Sequence, residues 1–184
     1  MSERSWRWIW QPDLGEGVEQ FRFHSTPQGY EACGDVAATL EGAPLEAGYV
    51  VETDAAWITR RVRVGMKGGG LLEIFSDGAG DWSRADGETL PELDGCLDPD
   101  ISMTPFTNTL AIRRLGLKVG ESAEIKVAYI LVPELSLRAA PQRYTRLADR
   151  LWRFEALDID FTADITVDED GFVVDYPGLF RRAA

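Results

Sequence analysis

Three carboxylates, Asp94, Asp98 and Asp100, fall within the stretch LDGCLDPDISMTPFTNTLAIRR (93–114), ahead of a run of small hydroxyl and amide side chains and a pair of arginines. Acids this close together could divide acid and base roles on a small polar or glycosidic substrate, provided their surroundings separate their pKa values. They could equally hold turns together, since Asp-Gly and Asp-Pro pairs bond to their own backbone. A calcium loop is a poor fit. DGCLDPD spaces its acids at i, i+4 and i+6, whereas an EF-hand wants them at i, i+2 and i+4, with glycine at the sixth position and glutamate at the twelfth. DEDG at 168–171 begins better but lacks the liganding glutamate and runs into a strand pattern. No metal and no cofactor is expected.

Other routes to catalysis are thinner. The only histidine, His24, sits in FRFHS on the face opposite Phe21 and Phe23, and no G-x-S-x-G elbow accompanies it. MKGGGLLEIF is glycine-rich, but a strand pattern follows it and no G-K-[ST] is present, so it reads as a turn and not a phosphate cradle. Polar recognition beside an apolar wall is better supported. AWITRRVRV places Arg60 on one face with Ile58, Val62 and Val64, where a guanidinium must pair with an internal acid, snorkel, or hold an anion. Thr104, Thr107, Asn108 and Thr109 supply uncharged donors and acceptors that suit either a hydroxyl-rich ligand or a buried network. Arg113 and Arg114 then lead into a strand on opposite faces, and one of them is expected to neutralise a nearby Asp.

What positions these residues is a run of short strands. SWRWIWQ puts Trp6, Trp8 and Trp10 on one face; AEIKVAYILV sets Ala123, Ile125, Val127, Tyr129 and Leu131 against Glu124 and Lys126; DFTADITVD alternates through Phe161 to Val167. Such period-two patterns mark half-buried strands. Asp-Gly pairs punctuate them, and the one at Asp170-Gly171 predicts a tight hairpin. YTRLADRLWRFEAL could be a helix, but its neighbours are strands and it reads better as a hairpin turning at Ala148-Asp149. A dozen or more strands are expected, all antiparallel, with 84–108 a long connection, since no strand could run through Pro91, Pro99 and Pro105 together.

The 184 residues fit one domain, 1–184, long enough for a core without staples. A formal net charge of −12 argues against nucleic acid as a partner and against adsorption to anionic membranes. No apolar run approaches a membrane span. The N-terminal MSERSWRWIWQPD does not look like a secretory leader, and Cys33 and Cys96 form no framework. A cytoplasmic location is expected, with reduced thiols; oligomeric state is left open.

LDGCLDPDISMTPFTNTLAIRRL, QRYTRL and FTADITVDEDGFVVDYPGLFRR, supported by DAAWITRRVRV and EIFSDGAGDW, resemble the bacterial “putative glycolipid-binding” protein family over most of the chain. The resemblance implies an all-β fold: a many-stranded antiparallel sheet curled into a spiral β-roll or open barrel. It carries no catalytic residues. It implies a non-catalytic binding protein in which the curved sheet holds an apolar chain and a polar rim reads the head group of a glycolipid or other amphiphile. Tyr129, Tyr144 and Trp152 could supply wall or rim, as could the tryptophan stripe. Arg60, Asp94, Asp98, Thr107, Asn108 and Arg113, with Gln142 from the QRYTRL segment, are the candidate polar contacts. The alternative is a hydrolase using Asp94, Asp98 or Asp100.

Overall fold

The structure is a computed structural model that describes residues 3–183. Its first strands are β1 (Glu3–Trp10), β2 (Glu16–Ser25), β3 (Gly29–Leu40), β4 (Ala43–Asp54), β5 (Thr59–Met66), β6 (Leu71–Ser76) and β7 (Trp82–Arg84). A 3-10 turn at Pro91–Leu93 leads to β8 (Asp98–Ile101), the helix α1 (Phe106–Leu115) and β9 (Ser122–Leu131). The chain finishes with β10 (Ser136–Ala148), β11 (Leu151–Ala156), β12 (Phe161–Val167), β13 (Val173–Tyr176) and β14 (Phe180–Arg182).

All fourteen strands belong to one sheet, in the order β7-β6-β5-β4-β3-β2-β1-β14-β13-β12-β11-β10-β9-β8. The chain starts mid-sheet, lays hairpins outward to β7, crosses to the far edge at β8, and works back until β14 pairs with β1. The sheet does not close into a barrel and curls as an open β-roll, as the family resemblance implies. The 144–154 segment is a hairpin, with Tyr144 opposite Phe154. Asp170-Gly171 does form a turn, but a wider one than a two-residue hairpin: Val167 pairs with Val173, and Asp168 Oδ1 accepts the backbone N–H groups of Asp170 and Phe172 at 3.0 Å each.

Two expectations are overturned. The sheet is not wholly antiparallel, because β8 runs parallel to β9. Arg113 and Arg114 lie not in a strand but in the last turn of α1. The two findings have one cause: a parallel pair needs a crossover, and α1 supplies it. That crossover passes through the inside of the roll, so Phe106 to Ile112 are all 5% exposed or less. Gly116, left-handed at φ 54°, ends the helix by donating its N–H to the Ile112 carbonyl.

Because sheet neighbours are otherwise antiparallel, six hairpin turns gather at one end of the roll: β1–β2, β3–β4, β5–β6, β9–β10, β11–β12 and β13–β14. The opposite end is filled by aromatic rings. Phe23 stacks on Trp57 at 5.1 Å and on Tyr30 at 5.5 Å, and meets Phe172 edge-on at 5.1 Å. Arg113 lies 3.8 Å above the Trp57 ring and donates to the Asp170 carbonyl. Between this plug and the six turns lies α1, with Phe106 against Phe21 at 5.2 Å.

Candidate functional site

The roll is packed solid at the aromatic end and hollow at the other. A cavity of about 710 Å³ opens among the hairpin turns, within the size range of small-molecule sites. Its walls are apolar: Trp10 and Leu14 from β1 and its turn, Leu45 from β4, Phe154 from β11, and Tyr176 and Phe180 from β13 and β14. Leu131 and Ile159 stand at its mouth, 38% and 61% exposed. Charged rim residues join them: Glu41, Glu134, and the ion pair of Arg138 with Asp158.

The inner end is polar. The chain leaves β8 at the cavity, turns through Ser102, Met103 and Thr104, and enters α1, so both elements deliver side chains to the floor. Asp100 is the centre of that floor. Its Oδ2 accepts from Gln142 Nε2 at 2.6 Å and its Oδ1 from Thr107 Oγ1 at 3.1 Å. Burial raises the Asp100 pKa, and the bonds from Gln142 and Thr107 oppose that only in part. Asp100 lines the cavity and keeps partial exposure. Asn108, one residue beyond Thr107 on α1, also lines the cavity and donates through Nδ2 to the Tyr144 hydroxyl at 2.9 Å. Tyr129 lies beneath the Arg138 guanidinium, which sits 4.7 Å from its ring centre.

Just behind the floor is a second polar cluster. Glu19 on β2 is fully buried, and its Oε1 accepts from Tyr49 at 2.6 Å and from Thr104 Oγ1 at 3.0 Å. Its Oε2 has no partner among the described residues. Burial pushes the Glu19 carboxyl up to about 8, with the Tyr49 and Thr104 hydroxyls opposing the shift. At neutral pH the group therefore holds a proton. Gly34 makes room for the cluster: a Cβ there would collide with the Tyr49 ring and Glu19 Oε1.

Of the residues singled out from sequence, Trp10, Asp100, Thr104, Asn108, Tyr129 and Gln142 line the cavity, and Thr107 braces its floor through Asp100. Tyr144 lies directly under the floor, fully buried. The others lie elsewhere. Asp98, 1% exposed, pairs with Arg114 at 2.6 Å, which is the neutralisation expected of one of the two arginines. Asp94 sits in an exposed turn, and its backbone N–H bonds to the Pro91 carbonyl. Arg113 covers the aromatic plug, and Trp152 is buried with Arg146 5.6 Å from its ring.

Arg60 does not share a face with Val62. The β4–β5 register pairs Glu52 with Arg61 but Thr53 with Thr59, so Arg60 is the extra residue of a bulge. The bulge turns it outward to Asp54 Oδ2 at 2.8 Å and to the Asp77 carbonyl, and brings Thr59 inside. Sequence reasoning missed Glu19, although GVEQFRF places it on the same face as Phe21 and Phe23, a carboxyl among core positions. It also missed Arg138 and Asp158, whose meeting across the ends of β10 and β11 depends on tertiary placement.

Comparison with known proteins adds a family. The family model described as “Putative glycolipid-binding” matches residues 7–182. The fold is similar to a crystal structure of a DUF1089 family protein from Pseudomonas aeruginosa, with 41% sequence identity, a TM-score of 0.82, and coverage of 91% of this chain and 92% of that one. No curated protein matches the chain.

Proposed function

The chain belongs to the family described as “Putative glycolipid-binding”, and from that premise we propose that it binds one amphiphile in the cavity at the hairpin end, without catalysis. The observation that carries this reading is the cavity itself: about 710 Å³ with largely apolar walls, in a roll whose other end is filled by its own aromatic rings. A guest there completes the core. Burying a chain is worth about 0.8 kcal/mol per CH₂. Roughly eight to ten methylenes thus yield a gain comparable to the lower estimates of association entropy.

The hydrolase alternative draws no support from the geometry. Of Asp94, Asp98 and Asp100, only Asp100 lines the cavity, and chemistry shared between two of these acids would need a second one facing the same space.

Calorimetric titration with octyl glucoside below its micelle threshold tests the proposal. Uptake of one molecule per chain is expected. Ala156→Trp, which places an indole in the cavity wall near the mouth, is expected to weaken it at least about tenfold, or by about 1.4 kcal/mol, with an unchanged melting temperature. Uptake that ignores this substitution, or no uptake of any amphiphile, would remove the cavity as the site.

A further inference from the structure

We propose that the amphiphile enters head first: a hydrogen-bond-donating head without negative charge rests on Asp100, Asn108 and Gln142, and the chain leaves between Leu131 and Ile159. This deepens the binding function proposed above and rests on it.

Charge supplies the first support. Among the described residues, the carboxylates along the cavity are Glu41, Asp100, Glu134 and Asp158 against a single cation, Arg138. That guanidinium is already committed, paired with Asp158 and stacked on Tyr129. A sulfate, phosphate or carboxylate head would pass Glu41, Glu134 and Asp158 at the rim and come to rest against Asp100 with no free positive partner among the described residues along the cavity. Placing an unpaired anion in such a site is strongly unfavourable.

Hydrogen-bond chemistry supplies the second. Each Asp100 oxygen accepts one bond from the protein, and a carboxylate oxygen has room for another. Asn108 gives one of its two Nδ2 hydrogens to Tyr144 and keeps Oδ1 as an acceptor. With both Asp100 oxygens on it the floor is richest in acceptors, and the second amide hydrogens of Asn108 and Gln142 add donors, a mixture that suits a hydroxyl. Ser102 and Tyr129 add hydroxyls that can give as well as take.

Orientation follows from the order of surfaces. Gln142 and Asn108 at the inner end are 3% and 4% exposed, while Leu131 and Ile159 at the mouth are apolar and open to solvent. A ligand entering chain first would lay methylenes against the Asp100–Gln142 pair and leave acceptors unmet in a low-dielectric pocket. Head-first entry meets the inner acceptors and leads the chain out along Leu131 and Ile159, past a rim whose Arg138 and Asp158 already pair with each other.

Four comparisons by titration below the micelle threshold decide it. Decyl glucoside is expected to bind at least about tenfold more tightly than decyl sulfate. Asp100→Asn, checked for an unchanged melting temperature, is expected to narrow that ratio to below about threefold, because the amide brings a donor and removes a charge. With the glucose head fixed, lengthening the chain from octyl to tetradecyl is expected to reach a plateau. With the decyl chain fixed, enlarging the head to maltotriose is expected to abolish binding. Decyl sulfate binding as tightly as the glucoside overturns the charge selection, and tolerance of the large head with a sharp limit on chain length overturns the orientation; in both cases the cavity still binds an amphiphile. Failure of every amphiphile to bind removes the underlying function as well.

Discussion

Replacing Arg114 by alanine is expected to destabilise the protein by about 3–5 kcal/mol, the usual result of stranding one member of a buried ion pair. Asp98 is 1% exposed, and its Oδ2 takes both of its side-chain bonds from Arg114, at 2.8 Å from Nε and 2.6 Å from Nη2. Without the guanidinium a carboxylate remains in the interior with no counter-charge. The pair also ties α1 to β8 at one end, as Thr107 and Asp100 do at the other. For a chain of this size the loss corresponds to a drop in melting temperature on the order of 10 °C. Asp98→Asn in the same background should restore much of it, because the stranded charge is gone. Denaturant unfolding of the single and double variants checks both statements. A cost below about 1 kcal/mol for Arg114→Ala would mean that water reaches Asp98.

The second large effect is a pH dependence that Glu19 imposes. Its carboxyl lies at about 8 in the folded chain, against an ordinary 4.5. Between those values the folded form keeps a proton that the unfolded chain releases, so raising the pH favours unfolding. The group costs nothing below 4.5 and its full penalty is reached as the pH passes about 8. At about 1.4 kcal/mol per pH unit the whole interval is worth about 5 kcal/mol. Glu19→Gln keeps an acceptor for Tyr49 and Thr104 and cannot ionise, so its stability should match the wild type near pH 4.5 and exceed it by several kcal/mol at pH 8. Urea unfolding at the two values measures the difference, and parallel pH profiles for the two proteins would contradict it. Thr104 both bonds to Glu19 and lines the cavity, so the cluster adjoins the floor.

The strands were legible wherever one face meets the core and the other meets water. β1, β2 and β12 alternate for that reason, and the β10–β11 hairpin shows in the same way. Helix α1 was not legible, because a helix lodged inside a roll has no polar stripe: Thr107, Asn108 and Thr109 are as buried as Leu110. The signals left to it were at its end, two arginines in the last turn and Gly116 just past it. Of the site, Asn108, Tyr129 and Gln142 could be picked out as polar or aromatic residues in unusual surroundings. Asp100 was legible as part of an acidic cluster, but not as the one acid of three that faces the cavity. That choice is made by Arg114, which takes Asp98, and no local pattern encodes it. The bulge at Arg60 is likewise a property of two strands together.

The central claim is that the hollow end of the roll is completed by a guest. A crystal structure grown with saturating decyl maltoside tests it most directly. One detergent molecule should occupy the cavity, its sugar hydroxyls within hydrogen-bond distance of Asp100 and Gln142 and its chain along Leu14 and Phe180 toward Ile159. The contradicting result is a crystal at the same saturation in which the walls have closed on one another and the detergent is absent from the hairpin end.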